Sequence, residues 1–337
     1  MSQTRRAGDT KGQGMDQQAP DRADIEAAAE RVAPHVRLTP LLLPAAGAMG
    51  NGSAGTDWQP VLKLEFLQHT GSFKARGAFN NLLSRPVGPA GVTAVTGGNH
   101  GAAVAHAARQ LGIRARVFVP SYAPAAKVAL IRSFGAEVEV SPGDFHAAMA
   151  ACDGYVAACG ALKVHPFSEP ATIAGQGTLF SEWQAQSALD VVVIAVGGGG
   201  LISGAALWFQ GQGVKVVGVE PEGAAALTAA LAAGGPVDVA NRSIAADALG
   251  APNVGPLVYG ICAGGLERVV LVSDAAIREA QRTLWREFRI AAEPGGATAL
   301  AALLSGAYQP AAGERVGILL CGANVDLAGL AGVMAEG

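Results

Sequence analysis

Short valine-rich runs alternate along this chain with alanine-rich stretches, and that alternation limits the folds open to it. The apolar runs "PVLKLEF" (60–66), "GVTAVT" (91–96), "ARVFVP" (115–120), "EVEVS" (137–141), "VVVIAV" (191–196), "KVVGVE" (215–220), "RVVLVS" (268–273) and "RVGILLC" (315–321) read as strands. Helical patterns separate them over 73–84, 100–112, 124–134, 144–158, 274–288 and 296–306. Continuous branched runs belong to strands buried on both faces, and strand–helix alternation belongs to parallel sheets, so the class is α/β. Two βαβ series are visible, one over about 88–165 and one resuming after about 167. Earlier elements must join one or both sheets. Asp21 can cap a helix running to about Val32. The polar residues 1–20 read as a disordered tail, and 46–57, "AGAMGNGSAGTD", as a flexible loop.

Two strand–glycine–helix junctions carry chemistry. In "VVVIAVGGGGLISGAALWFQ" (191–210), four glycines allow backbone N–H groups to turn around an anion at a helix N-terminus. The bland alternative is a tight strand–helix turn. A nucleotide triphosphate loop would need GK[ST] at its end, and Leu201 and Ile202 stand there. The strict G-x-G-x-x-G pattern also fails, although Glu220 ends the next strand where a ribose-binding acid would sit. An NAD-dependent dehydrogenase therefore stays open as a distant alternative. The second junction, "VTGGNHGAAVAHAA" (95–108), gathers Thr96, Gly97, Gly98, Asn99 and His100 at a helix start, a set suited to a carboxylate or to a plain Asn/Gly turn.

Lys74 is one of only six lysines and lies in "FLQHTGSFKARGAFN" (66–80), between Phe73 and small residues. An amine in apolar surroundings loses proton affinity and becomes a nucleophile for carbonyls. A snorkelling surface lysine is the competing reading, weakened because a cation at a helix start opposes the dipole. Cys321 closes the last strand, where α/β sheets place ligands. Of the other cysteines, Cys152, Cys159 and Cys262, none forms a CxxC pair, so zinc is not expected. A net charge of −3 with 15% charged residues argues against nucleic-acid and membrane-surface partners. The N-terminus lacks a signal-peptide apolar core, and no uninterrupted apolar run reaches about 18 residues. The expectation is a soluble cytoplasmic protein without a metal.

Together these stretches resemble one family. "LKLEFLQHTGSFKARGA" (62–78), "TGGNHG" (96–101), "APAAKVALIRSFGAEV" (123–138), "HPF" (165–167), "IAGQGT" (173–178), "VGGGGLISG" (196–204), "GVEP" (218–221), "EPGGA" (293–297) and "CGANVD" (321–326) occur in the order found in fold-type II pyridoxal-phosphate enzymes, the serine/threonine dehydratase and serine racemase group. The resemblance runs from about Ile25 to Ala328. It implies a tryptophan synthase β-like fold of two domains, each with a mostly parallel sheet flanked by helices. Residues 21–87 and 167–337 would form the larger, cofactor-binding domain and 88–166 the smaller. It implies that Lys74, flanked by Ser72 and Phe73, holds pyridoxal 5'-phosphate through an imine. Asn99 would meet the cofactor's phenolic oxygen, and Gly197, Gly198, Gly199, Gly200 and Leu201 its phosphate. Cys321 would face the pyridine nitrogen. Ser72, Thr96, Gly98, Asn99 and His100 would receive the amino-acid substrate. Relatives are commonly dimers or tetramers, so a homodimer or homotetramer is expected.

The implied reaction is loss of water from a small β-hydroxy amino acid, L-threonine or L-serine by default, giving a 2-oxo acid and ammonia. The freed Lys74 amine would take the Cα proton, and a thiol at the pyridine nitrogen favours expulsion of the β-hydroxyl. Serine racemisation, or a lyase reaction on 3-hydroxyaspartate or phenylserine, is the alternative on the same scaffold. Three departures bear on it. Gly97 stands where racemases carry a proton-moving serine, Ala226 stands where cation-binding relatives carry an acid, and the family's "ADG" segment reads Ala246-Asp247-Ala248. The chain ends soon after Cys321, so no regulatory domain is expected.

Overall fold

The computed structural model describes residues 18–45 and 58–335. Residues 1–17 of the expected tail and the loop expected over 46–57 lie outside the described residues. Among the described residues, ten strands form two sheets: β1 (Leu41–Leu42), β2 (Gln59–Lys63), β3 (Val92–Val95), β4 (Ala115–Pro120), β5 (Glu137–Ser141), β6 (Leu162–Lys163), β7 (Val191–Ala195), β8 (Lys215–Pro221), β9 (Arg268–Val272) and β10 (Arg315–Leu319). The larger sheet has the order β1-β2-β10-β7-β8-β9, and the smaller β5-β4-β3-β6. Every pairing is parallel except that of the edge strand β1 with β2. The central strands β7 and β3 are buried at every residue, as their unbroken apolar runs require.

The helix Arg22–Val32 starts at Asp21, whose side chain accepts from Asp24 N while Asp24 returns a bond to the Asp21 backbone. The strand expected over 60–66 ends at Lys63, and a 3-10 turn over Glu65–Leu67 follows. The cause is a buried ionic network. Arg76, 1% exposed, donates to both oxygens of Glu65 at 2.7 and 3.1 Å and to Glu182 at 2.7 Å. The Lys63 ammonium donates to Thr39 O, Glu182 Oε1 and Gln186 Oε1 at 2.5–2.8 Å. Glu65 must turn inward to reach Arg76, which breaks the strand.

The helix Lys74–Ser84 serves both sheets. Ala75, Ala78, Phe79 and Leu82 pack into one core with Val92, Ala103 and Val104 of the smaller sheet's layer. Its other face meets the helix Pro170–Gln186, which the sequence reading leaves unassigned. There the backbones touch: a Cβ on Gly175 would stand 2.7 Å from Gly77 Cα. No described helix is long and apolar enough to cross a membrane.

Candidate active site

Three sequence-marked segments leave the C-terminal ends of parallel strands. The turn 96–98 follows β3, the glycines 197–200 follow β7, and Leu320–Cys321 extends β10, the neighbour of β7. That is where open α/β sheets bind ligands. The segment before Lys74 is laced to the third of them. Phe73 N donates to Cys321 O at 3.1 Å, Ala323 N to Gly71 O at 3.0 Å, and Ser72 bridges Gly322.

Lys74 opens its helix with the Nζ 5.0 Å from the Phe73 ring centroid and donating to Pro166 O at 2.8 Å. Pro166 adjoins Phe167, against which the glycine turn is packed. A Cβ on Gly198 would fall 2.1 Å from the Phe167 ring and one on Gly200 2.7 Å from its carbonyl. The amine and the glycine turn thus grip the same short segment. Burial holds the Lys74 ammonium down to about 8 against an ordinary 10.5, opposed by the nearby Cys321 and Glu293. Burial likewise pushes the Cys321 thiol up to about 12, so it is neutral, and it donates to Gly295 O at 3.6 Å.

Each glycine of the turn has a local packing reason. Gly197 abuts the Leu249 backbone at 2.7 Å from an added Cβ, and Gly199 takes φ +81. Close packing therefore accounts for the glycines as fully as ligand binding does. What packing leaves unexplained is the donors. Among the described residues, the N–H groups of Gly197, Gly198, Gly199, Gly200, Leu201 and Ile202 have no acceptor, and the first satisfied N–H is Ser203's, to Gly199 O at 2.9 Å. The first turn of any helix leaves such donors, and here the half-buried Gly197 and Gly198 and the buried Gly199 extend the run into the glycine turn, which fits an anion.

The turn after β3 has the same character. Gly98 N is consumed by Thr96 Oγ1 at 3.1 Å, while the N–H groups of Gly97, Asn99 and His100 have no acceptor among the described residues. The His100 ring points elsewhere: its Nε2 meets Val164 O at 3.0 Å, and burial holds its pKa down to about 3. It is a neutral imidazole donating to a carbonyl. Asn99 donates from Nδ2 to Glu293 Oε1 at 2.5 Å and accepts from Asn324 Nδ2 at 2.8 Å. Glu293, 2% exposed, has a bare second oxygen, and burial raises its carboxyl to about 7. Ser72 Oγ is also buried and, like that oxygen, has no partner among the described residues. Glu220 is filled by Leu227 N, Thr228 N and Thr228 Oγ1, capping the helix Ala226–Ala233.

Thus Lys74, Cys321, Asn99 and the two bare-donor turns come together, and His100 contributes its backbone rather than its ring. Sequence reasoning passed over three further residues. Glu293 was visible as an acid before Pro-Gly-Gly at the start of an apolar helix. Asn324 lay in "CGANVD". Lys127, from "APAAK", pairs with Asp247 across the cleft, and its Nζ would stand 3.5 Å from a Cβ on Gly98.

The comparisons with known proteins give the family. The profile of a family described as pyridoxal-phosphate dependent enzyme matches residues 32–322. The chain belongs to that family. It is 43% identical to phenylserine dehydratase of Ralstonia pickettii over 81% of this chain and 87% of that protein. It is 36% identical to L-threonine ammonia-lyase of Thermotoga maritima over 81% of this chain and 69% of that one. Among solved structures, maize serine racemase aligns with a TM-score of 0.86 at 33% identity, covering 95% and 98% of the two chains. The family's cofactor is pyridoxal phosphate, and the residues present fit it: bare N–H groups for a phosphate, a low-pKa amine for an aldehyde, and a neutral thiol for a ring nitrogen.

Proposed function

We propose that this chain removes water from a small β-hydroxy amino acid, L-threonine or L-serine, releasing a 2-oxo acid and ammonia. The observation that carries the reading is one buried amine, its pKa lowered to about 8, near two turns whose N–H groups have no acceptor among the described residues. The cofactor, when bound, supplies an aldehyde that captures amines and a ring that withdraws electrons from Cα. The turn 197–201 would hold the phosphate, Lys74 would hold the aldehyde end, and the neutral Cys321 thiol would face the ring without adding charge. Gly97, Asn99 and His100 offer their N–H groups to the substrate carboxylate. The Lys74 amine would accept the Cα proton, a task suited to a group titrating near working pH. Gly97 has no side chain to carry a proton, which favours elimination over racemisation.

A second reading enlarges the substrate. A cavity of about 440 Å³ opens beside Glu293 and Lys127, walled by Leu130, Ile244, Pro294 and Val325. Asp247, Arg278, Gln281 and Asp326 also line it and Lys74 and the glycine turn do not, so it is space adjoining the site, and the reading rests chiefly on a relative at 43% identity, a phenylserine dehydratase. Release of 2-oxo acid over a panel of L-threonine, L-serine, 3-hydroxyaspartate and phenylserine decides between them, and no release from any of them refutes both.

The same proposal takes 88–166 as a smaller domain and 21–87 with 167–337 as the larger, supported by the confinement of β3 to β6 to one sheet. It also takes the enzyme as a homodimer or homotetramer, supported by the exposed Leu38, Leu43 and Leu67 around the edge strand β1. Light scattering tests the assembly, and a monomer refutes it. A cytoplasmic setting accords with four free thiols.

A further inference from the structure

Asparagine side chains can ordinarily be turned end for end, because oxygen and nitrogen are nearly alike in size. Around Asn99 the partners remove that freedom. Thr70 O can only accept, so the group of Asn324 facing it at 2.7 Å must be its NH2. The same NH2 lies 2.8 Å from Asn99, and a donor there requires the Asn99 oxygen. The Asn99 nitrogen then faces the Glu293 carboxyl at 2.5 Å, which accepts. One N–H of Asn99 is used and one is left over.

The backbone is shaped around this relay at both ends. Gly71, at φ +74, leaves space for the Asn324 amide: a Cβ there would stand 2.5 Å from Asn324 Oδ1. Gly322 leaves space for Glu293: a Cβ there would stand 2.1 Å from Glu293 Oε1. Thr70, whose carbonyl starts the relay, takes φ 64, a conformation unusual for a residue with a side chain.

We infer that Asn324 and Glu293 are positioning residues that fix the Asn99 amide, so that a donor and not an acceptor is offered to the bound cofactor. The inference rests on the cofactor reading above. Asn324→Asp keeps the shape but sets an acceptor against Thr70 O and the Asn99 oxygen, which drives Asn99 to turn over. Glu293→Gln keeps an acceptor for Asn99, because its carbonyl can take the place of Oε1. Glu293→Met removes it.

The test uses the holoenzyme and reads cofactor dissociation, the position of the visible absorption band and the pH at which that band shifts. We expect Asn324→Asp and Glu293→Met each to weaken cofactor retention about tenfold, the loss of one hydrogen bond, and to move the band. Glu293→Gln should retain the cofactor within about twofold by the same reasoning. Wild-type dissociation and band position in both Asn324→Asp and Glu293→Met overturn the inference, as does Glu293→Gln behaving like Glu293→Met. Circular dichroism shows whether each variant is folded, and the Glu293 pair decides if Asn324→Asp is not. Lys74→Ala is the separate control: a visible band that survives it refutes the cofactor reading itself.

Discussion

The depressed proton affinity of Lys74 can be tested as a rate. An ammonium titrating at about 8 rather than 10.5 is about 9% neutral at pH 7, against about 0.03%, so about 300 times more of it is in the form that reacts than of an ordinary lysine. Only the neutral amine attacks a carbonyl. Cofactor-stripped protein mixed with pyridoxal phosphate in a stopped-flow instrument should colour at a rate that rises about tenfold per pH unit and levels off near pH 8. Borohydride reduction followed by peptide mapping should place the label on Lys74. Lys63 is an internal control. It is also buried with a lowered pKa, but its three N–H bonds are committed to Thr39, Glu182 and Gln186. A rate still climbing at pH 10, or label on Lys63 equal to that on Lys74, would show that burial does not tune this amine.

Three further outcomes are expected. The folded-state pKa of Glu293 is raised from 4.5 to about 7, so its contribution to stability falls as pH rises through that window, by about 3 kcal/mol in total; Glu293→Gln should flatten urea-derived stability between pH 4.5 and 7. Arg76→Met leaves the buried Glu65 carboxylate without its cation, while Glu182 keeps Lys63, and should lower unfolding free energy by about 3–5 kcal/mol in urea titration, a far larger loss than breaking an exposed pair gives. A Cβ on Gly97 would meet only Ala123 Cβ at 3.5 Å, so Gly97→Ser should fold normally and raise D-amino-acid formation, measured by chiral chromatography; no gain refutes the role assigned to that position.

The strands were legible because parallel strands buried on both faces leave unbroken branched runs, as in "VVVIAV". The helix Pro170–Gln186 was not, because its Gly175 and Gly177 lower helix propensity, and their reason, the approach of Gly77 and Ile25, lies far away in sequence. Glu65 reads as one more strand residue until Arg76 is seen to draw it inward. In the site, residue types pointed to Lys74, Asn99 and the glycine turn, since each carries its chemistry locally. Glu293 and Asn324 carry none on their own. Their part comes from hydrogen bonds to a residue more than 190 positions earlier, and a single sequence holds no trace of such partners. The His100 ring failed for the same reason, its acceptor being Val164 O.

The shared helix Lys74–Ser84 has a consequence for modularity. Phe79 and Leu82 complete a core whose strands lie later in the chain, so a fragment confined to residues 88–166 would present an uncovered apolar face. Grafting that sheet between relatives would have to bring the covering helix along, and the helix begins at Lys74. Whoever exchanges the smaller sheet also exchanges Lys74.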